Sequence, residues 1–224
     1  MVDGEKYERW LYALESGEDE RWRDLEDKTT DESENSRKAT KGDYGVNWPV
    51  VQSPEYRKSI EGITNDQKVI DSIMTRISWS LSNRDGKNTE ELYAVSLTNR
   101  IRREVARIAD QNIPFGIKRT RSFTAKLNNA DNKKESILLI HNHPRGMPPS
   151  IGDINALAVN KNVAGITIGH DGSIYYYTRP QKIITQKDFE LAVSRYTRYS
   201  EITATEKALD DLSMSHGFKV IKLN

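Results

Sequence analysis

The stretch from Leu138 to Asp153, LLIHNHPRGMPPSIGD, places two histidines and a carboxylate where one divalent metal could hold all three. Ile137 to Ile140 reads as a buried strand running on into the histidines. Residues two apart on a strand point to the same side, so His141 and His143 share a face. Pro144 stops the strand. After the PRGMPP turn, Ser150 to Asp153 opens a segment whose pattern suits a short helix over about 152–160, with Asp153 in its first turn. Two imidazoles from a strand end and one carboxylate from a helix start leave a fourth position for water, the arrangement of a catalytic zinc site. The same residues also have an ordinary reading: S-x-x-D resembles a capping box, and H-x-H can be a chance pair on a strand edge. The combination favours metal, because two of the four histidines in the chain fall here. His170 and His216 lie in an expected hairpin turn and near a helix end, where solvation or capping is the better reading.

HNHP, then RGMPP, then SIGD resembles the metal motif of the JAMM (JAB/MPN+) zinc metalloprotease superfamily. Within it, the HNHP start is similar to the bacterial and phage branch, which includes RadC-like proteins and the JAB domains of phage head-associated proteins and polymorphic toxins. The loop between His143 and Ser150 is one residue shorter than the family's commoner spacing. The resemblance covers about residues 89–180. It implies His141, His143 and Asp153 as zinc ligands, Ser150 as an oxyanion stabiliser, and an upstream glutamate acting on the zinc-bound water. Glu91, at the start of the expected strand LYAVSL, aligns best with that glutamate, with Glu90 as the fallback and Glu104 as a weaker candidate. The implied chemistry is hydrolysis of an amide bond, as peptidase or isopeptidase. Zn2+ would lower the pKa of water, Glu91 would take the proton and return it to the leaving amine, and Ser150 would donate to the oxyanion. The substrate would be a protein or peptide, with ubiquitin-like proteins among the candidates.

Three neighbouring functions can be weighed. His141-Asn142-His143 spells the name of the HNH nucleases, but that name describes residues dispersed through a folded motif. Zinc nucleobase deaminases need a P-C-x-x-C, and this chain has no cysteine. The serious alternative is a RadC-like or phage-structural module that binds nucleic acid or a capsid partner without proteolysis. A formal charge of +1 and a pI near 7.8 give no global footprint for nucleic acid. Two local clusters remain, Arg100, Arg102 and Arg103, and Lys118, Arg119 and Arg121. With 30% of residues charged, a solvated face with scattered ion pairs is the better reading of both.

The fold expected is α/β: a JAMM-type mixed sheet with helices packed on it, an N-terminal helical extension and a C-terminal helical pair. Residues 1–43 divide into helical pieces around Tyr7, Trp10, Leu11, Leu14, Trp22 and Leu25 and a polar linker from Asp27 to Asp43. Residues 44–88 hold an extended segment and a helix over 64–83, whose stripe of Val69, Ile70, Ile73, Ile77 and Leu81 would cover the sheet. The zinc domain spans 89–182. It comprises a strand at 92–98, a short helix through Ile101, Val105 and Ile108, and a helix at about 124–132. Strands follow at 137–142, 163–168 and 173–178, the last two joined at His170-Asp171-Gly172. Tyr175, Tyr176 and Tyr177 read as sheet residues. Helices at about 186–199 and 201–215 and a final FKVIKL strand make up 183–224. No apolar run is long enough for a membrane span and no secretory leader is evident, so a cytoplasmic setting is the expectation.

Overall fold

A computed structural model describes residues 44–99, 103–160 and 163–224. The expected amino-terminal helices and linker, and Arg100, Ile101 and Arg102, lie outside the described residues. Among the described residues three helices come first: α1 (Trp48–Val51), α2 (Pro54–Glu61) and α3 (Gln67–Arg84). The first two replace the extended segment expected there. Proline sits in the first turn of each, where its missing N–H costs nothing, and Ser53 caps α2 by accepting from the Tyr56 N–H. Asp66 caps α3 through the Lys68 and Val69 N–H groups, and the predicted apolar stripe is buried.

Then follow β1 (Leu92–Ser96), β2 (Glu104–Ile108), α4 (Arg121–Asn132), β3 (Ile137–His143), α5 (Ile151–Asn155), β4 (Val163–Gly169) and β5 (Ile174–Thr178). The chain ends with α6 (Gln186–Val193), a 3-10 turn at Ser194–Tyr196, α7 (Glu201–His216) and β6 (Val220–Lys222). The six strands form one mixed sheet in the order β2-β1-β3-β4-β5-β6, with β3 and β4 parallel and every other pair antiparallel. The helix expected through Val105 and Ile108 is instead strand β2. Val105 and Ile108 fit a helical period, but Ala106 and Ile108, two apart, are the residues buried when this segment pairs with β1.

Helices cover both faces. On one, Tyr56, Ile60 and the α3 stripe pack against Tyr93, Val95, Leu138, Ile140, Ile166 and Ile168. On the other, Phe123 and Leu127 of α4, Ile154 of α5, and Ala208, Leu209 and Leu212 of α7 pack against Leu92, Ala94, Leu139 and Tyr177. Because β1 and β3 are buried on both sides, Leu92 to Val95 and Ile137 to Ile140 read as continuous apolar runs with no polar alternation. Among the described residues no helix is long and apolar enough to cross a membrane.

Candidate metal centre

Strand alternation divides the HNH triplet between the two faces. His141 and His143 follow Leu139 onto the face carrying α4 and α5, while Asn142 follows Leu138 and Ile140 toward α3. The two imidazoles converge, with their Nε2 atoms 2.9 Å apart. The turn after β3 fixes one of the rings. The His143 Nδ1 lies 2.8 Å from the Met147 carbonyl, which can only accept, so Nδ1 carries the proton and Nε2 is turned toward His141. Gly146 makes this turn with φ +66°, and the Arg145 guanidinium ties it to Glu201 at 2.9 Å.

Asp153 arrives from α5. Its Oδ1 is 3.3 Å from His141 Nε2 and its Oδ2 is 3.5 Å from His143 Nε2. Ser150 and Asp153 form a full capping box: the Ser150 hydroxyl accepts from the Asp153 N–H at 3.1 Å, and Asp153 Oδ2 accepts from the Ser150 N–H at 2.8 Å. The Ser150 hydroxyl also donates to that same oxygen at 2.8 Å. Capping and placement of the carboxylate are thus one device, since the contacts that start the helix also aim Asp153 at the two imidazoles.

The glutamate at this site is Glu90. The ligand atoms of Glu90, His141 and His143 lie within 4.8 Å of one another, and this buried group could bind a metal ion. The expectation for Glu91 is corrected by alternation. Leu92 pairs with His141 in the antiparallel β1–β3 ladder, and continuing that register by two residues brings Glu90 opposite His143. Glu91 falls in phase with Tyr93 on the other face, where Arg84 Nε lies 3.2 Å away and the Tyr93 hydroxyl donates to it at 2.7 Å. Glu104, the weaker candidate, is on β2 and pairs with Arg76 at 2.8 Å.

The electrostatics suit a cation. Burial pushes the Glu90 carboxyl above its ordinary range, and the neighbouring Asp153 charge acts in the same direction against the pull of the two histidines. Burial alone would lower His143. Its hydrogen bond to Asp153 and the Glu90 charge overcome that and raise it to about 9. Asp153 is held well below the usual carboxylate range, because the two imidazoles outweigh its desolvation. Two ring nitrogens 2.9 Å apart with only lone pairs between them would repel, so a proton or a metal cation must lie between them. Tetrahedral zinc ligands at about 2.0–2.1 Å from the metal stand roughly 3.3 Å from one another, close to the spacings found here.

Among the described residues, the other side chains singled out in the sequence have partners both near this centre and elsewhere in the fold. His170, expected to be solvated or capping, is 1% exposed, with Nδ1 2.6 Å from the Tyr44 carbonyl and Nε2 3.0 Å from Asn142 Nδ2. Its hairpin turn folds over the end of β3 beneath residues 44–47, which removes it from water. His216 closes α7 with Nδ1 3.2 Å from the Leu212 carbonyl, as expected of a helix end. Tyr177 crosses beside the centre, its ring edge-on to His141 at 6.5 Å. Arg103 is largely buried and 3.8 Å from Asp66, and Arg119 donates to the Ala156 carbonyl just after α5. Comparison of the chain with protein-family models, curated proteins and solved structures gives no match.

Proposed function

We propose that this protein is a JAMM-type zinc metallohydrolase that cleaves an amide or isopeptide bond with water as the nucleophile. The observation that carries this reading is the convergence of His141 Nε2, His143 Nε2 and the Asp153 carboxylate, with Glu90 beside them. His141, His143 and Asp153 would hold the ion, the two imidazoles as neutral donors and Asp153 as the anionic one. Bound zinc supplies Lewis acidity, lowering the pKa of water toward neutrality and polarising a carbonyl. Glu90 takes the proton from the attacking water and passes it to the leaving amine. Its upward-shifted carboxyl suits this exchange, because a general base works best with a pKa near the working pH. Met147 holds the His143 ring through its carbonyl, and Ser150 orients Asp153 until its hydroxyl proton turns to the developing oxyanion. A protein or peptide substrate follows from the reaction class.

The test is the full-length chain purified without chelator, assayed for zinc and for cleavage of a quenched-fluorescence peptide and isopeptide panel. About one zinc per chain and hydrolysis that chelator abolishes and zinc restores are expected. A zinc-loaded protein that cleaves no member of the panel, or cleavage indifferent to chelator, overturns the reading. In the first case a module that binds nucleic acid or a capsid partner takes its place, and salt-dependent DNA affinity would identify the former.

A further inference from the structure

Asn142, between the two histidines, is fully buried on the opposite sheet face, and its amide makes four hydrogen bonds, the most such a side chain can form. Its Oδ1 accepts from the Glu91 N–H at 2.8 Å and from the Ser80 hydroxyl at 3.1 Å. Its Nδ2 donates to the Thr89 carbonyl at 3.1 Å and to His170 Nε2 at 3.0 Å. The amide's orientation follows from its partners. The Tyr44 carbonyl takes the His170 Nδ1 proton, so His170 Nε2 presents a lone pair that only the NH2 end of Asn142 can satisfy.

Two of those four partners bracket a single residue. The Thr89 carbonyl and the Glu91 N–H are the peptide groups on either side of Glu90. Strand β1 begins only at Leu92, so Glu90 lies beyond the regular ladder, where a side-chain amide replaces the missing strand pairing. Thr89 bridges Pro114 on the side away from β3, so toward β3 this amide alone holds the segment. A desolvated carboxylate released there would swing toward water, and a misplacement of about 1 Å can cost roughly a hundredfold in rate.

We infer that Asn142 is a positioning residue for Glu90: it clamps both flanking peptide groups and so fixes the carboxylate opposite His143. The same strand then sets ligands and base together, its odd residues facing the metal and its even residue holding Glu90 from behind. The inference rests on the hydrolase reading only in taking Glu90 as the proton acceptor.

The experiment uses the full chain, zinc-loaded for kinetics and metal-free for hydrogen exchange. Asn142→Ala is expected to lower kcat on a reporter peptide about a hundredfold with KM and zinc affinity little changed. Ser80→Ala removes a bond to the same amide oxygen but touches neither flank of Glu90, and should leave kcat near the wild-type value. In the wild type the Glu91 amide should exchange as slowly as those of β1, and Asn142→Ser, whose hydroxyl is too short to bridge both flanks, should release it. A Glu91 amide that exchanges like an exposed loop in the wild type overturns the clamp. So does an Asn142→Ala variant with unchanged kcat, or a loss matched by Ser80→Ala. Should the zinc-loaded wild type cleave no amide, the hydrolase reading fails, and the exchange result alone decides the clamp.

Discussion

Arg84 Nε and Glu91 Oε1 lie 3.2 Å apart, both residues buried, on the sheet face opposite the histidines. Arg84 also donates to the Thr89 hydroxyl at 2.9 Å and to the Ala109 carbonyl, so one guanidinium joins the end of α3 to the start of β1 and the end of β2. The two adjacent glutamates therefore lie on opposite faces of the sheet. Glu91→Ala should lower stability by about 3–5 kcal/mol, because it leaves a buried guanidinium without its counter-charge, yet the folded protein should still bind zinc. Glu90→Gln should leave stability and zinc binding in place and lower kcat by roughly a hundredfold to ten-thousandfold. Denaturant unfolding and metal analysis of both variants check this. A Glu90→Gln protein that loses its zinc would make Glu90 a ligand instead of the base.

The confusion of Glu90 with Glu91 has a physical origin. β1 is buried on both faces, so hydropathy along LYAVS carries no phase, and only the pairing of Leu92 with His141 says which glutamate faces the two histidines. The α3 stripe was legible because one side of that helix meets water. The convergence of His141, His143 and Asp153 was legible because both halves of the cluster are local, H-x-H on one strand and S-x-x-D on one helix start. β2 was not, since its strand state comes from pairing with β1 and a five-residue segment gives little periodicity to read. The burial of His170 depends on residues 44–47, more than a hundred positions earlier, which no local pattern encodes.

Ser150→Ala separates capping from chemistry. Loss of the N-cap should cost about 0.5–2 kcal/mol. Loss of the oxyanion donor should lower kcat by about a hundredfold to a thousandfold while zinc stays bound. Thermal unfolding and steady-state kinetics on the same preparation read the two effects. A variant with the stability loss and wild-type kcat would restrict Ser150 to the cap.

Zinc and protons should compete for His143. In the metal-free protein its pKa is raised to about 9, above the unfolded value, so its contribution to stability is fully present below about 6.5 and is lost as pH rises through about 9. Zinc needs the deprotonated ring, so binding at pH 7 should release about one proton, and affinity should rise with pH across the same window. Calorimetric titration with zinc in two buffers of different ionisation enthalpy measures that release. Binding that releases no proton at pH 7 would mean that His143 is already neutral there.

Gly165 on β4 forms part of the wall beside His141. A Cβ built on it would lie 2.1 Å from Tyr177 Cζ, far inside van der Waals contact, so the Tyr177 ring lies flat where only a glycine leaves room. That ring is buried, pairs across the sheet with Gly165 and stands edge-on to His141. Gly165→Ala must displace it, and overpacking of this kind should cost about 1–3 kcal/mol. The displaced ring would press on His141 and leave the His143 side untouched, so zinc affinity should fall with the stoichiometry still one per chain. Gly165→Ala combined with Tyr177→Leu removes the clash along with the ring and should recover most of the lost affinity. If the double variant binds zinc no better than Gly165→Ala alone, the strain runs through the β4 backbone to its neighbour β3, and the tyrosine is not the element that transmits it.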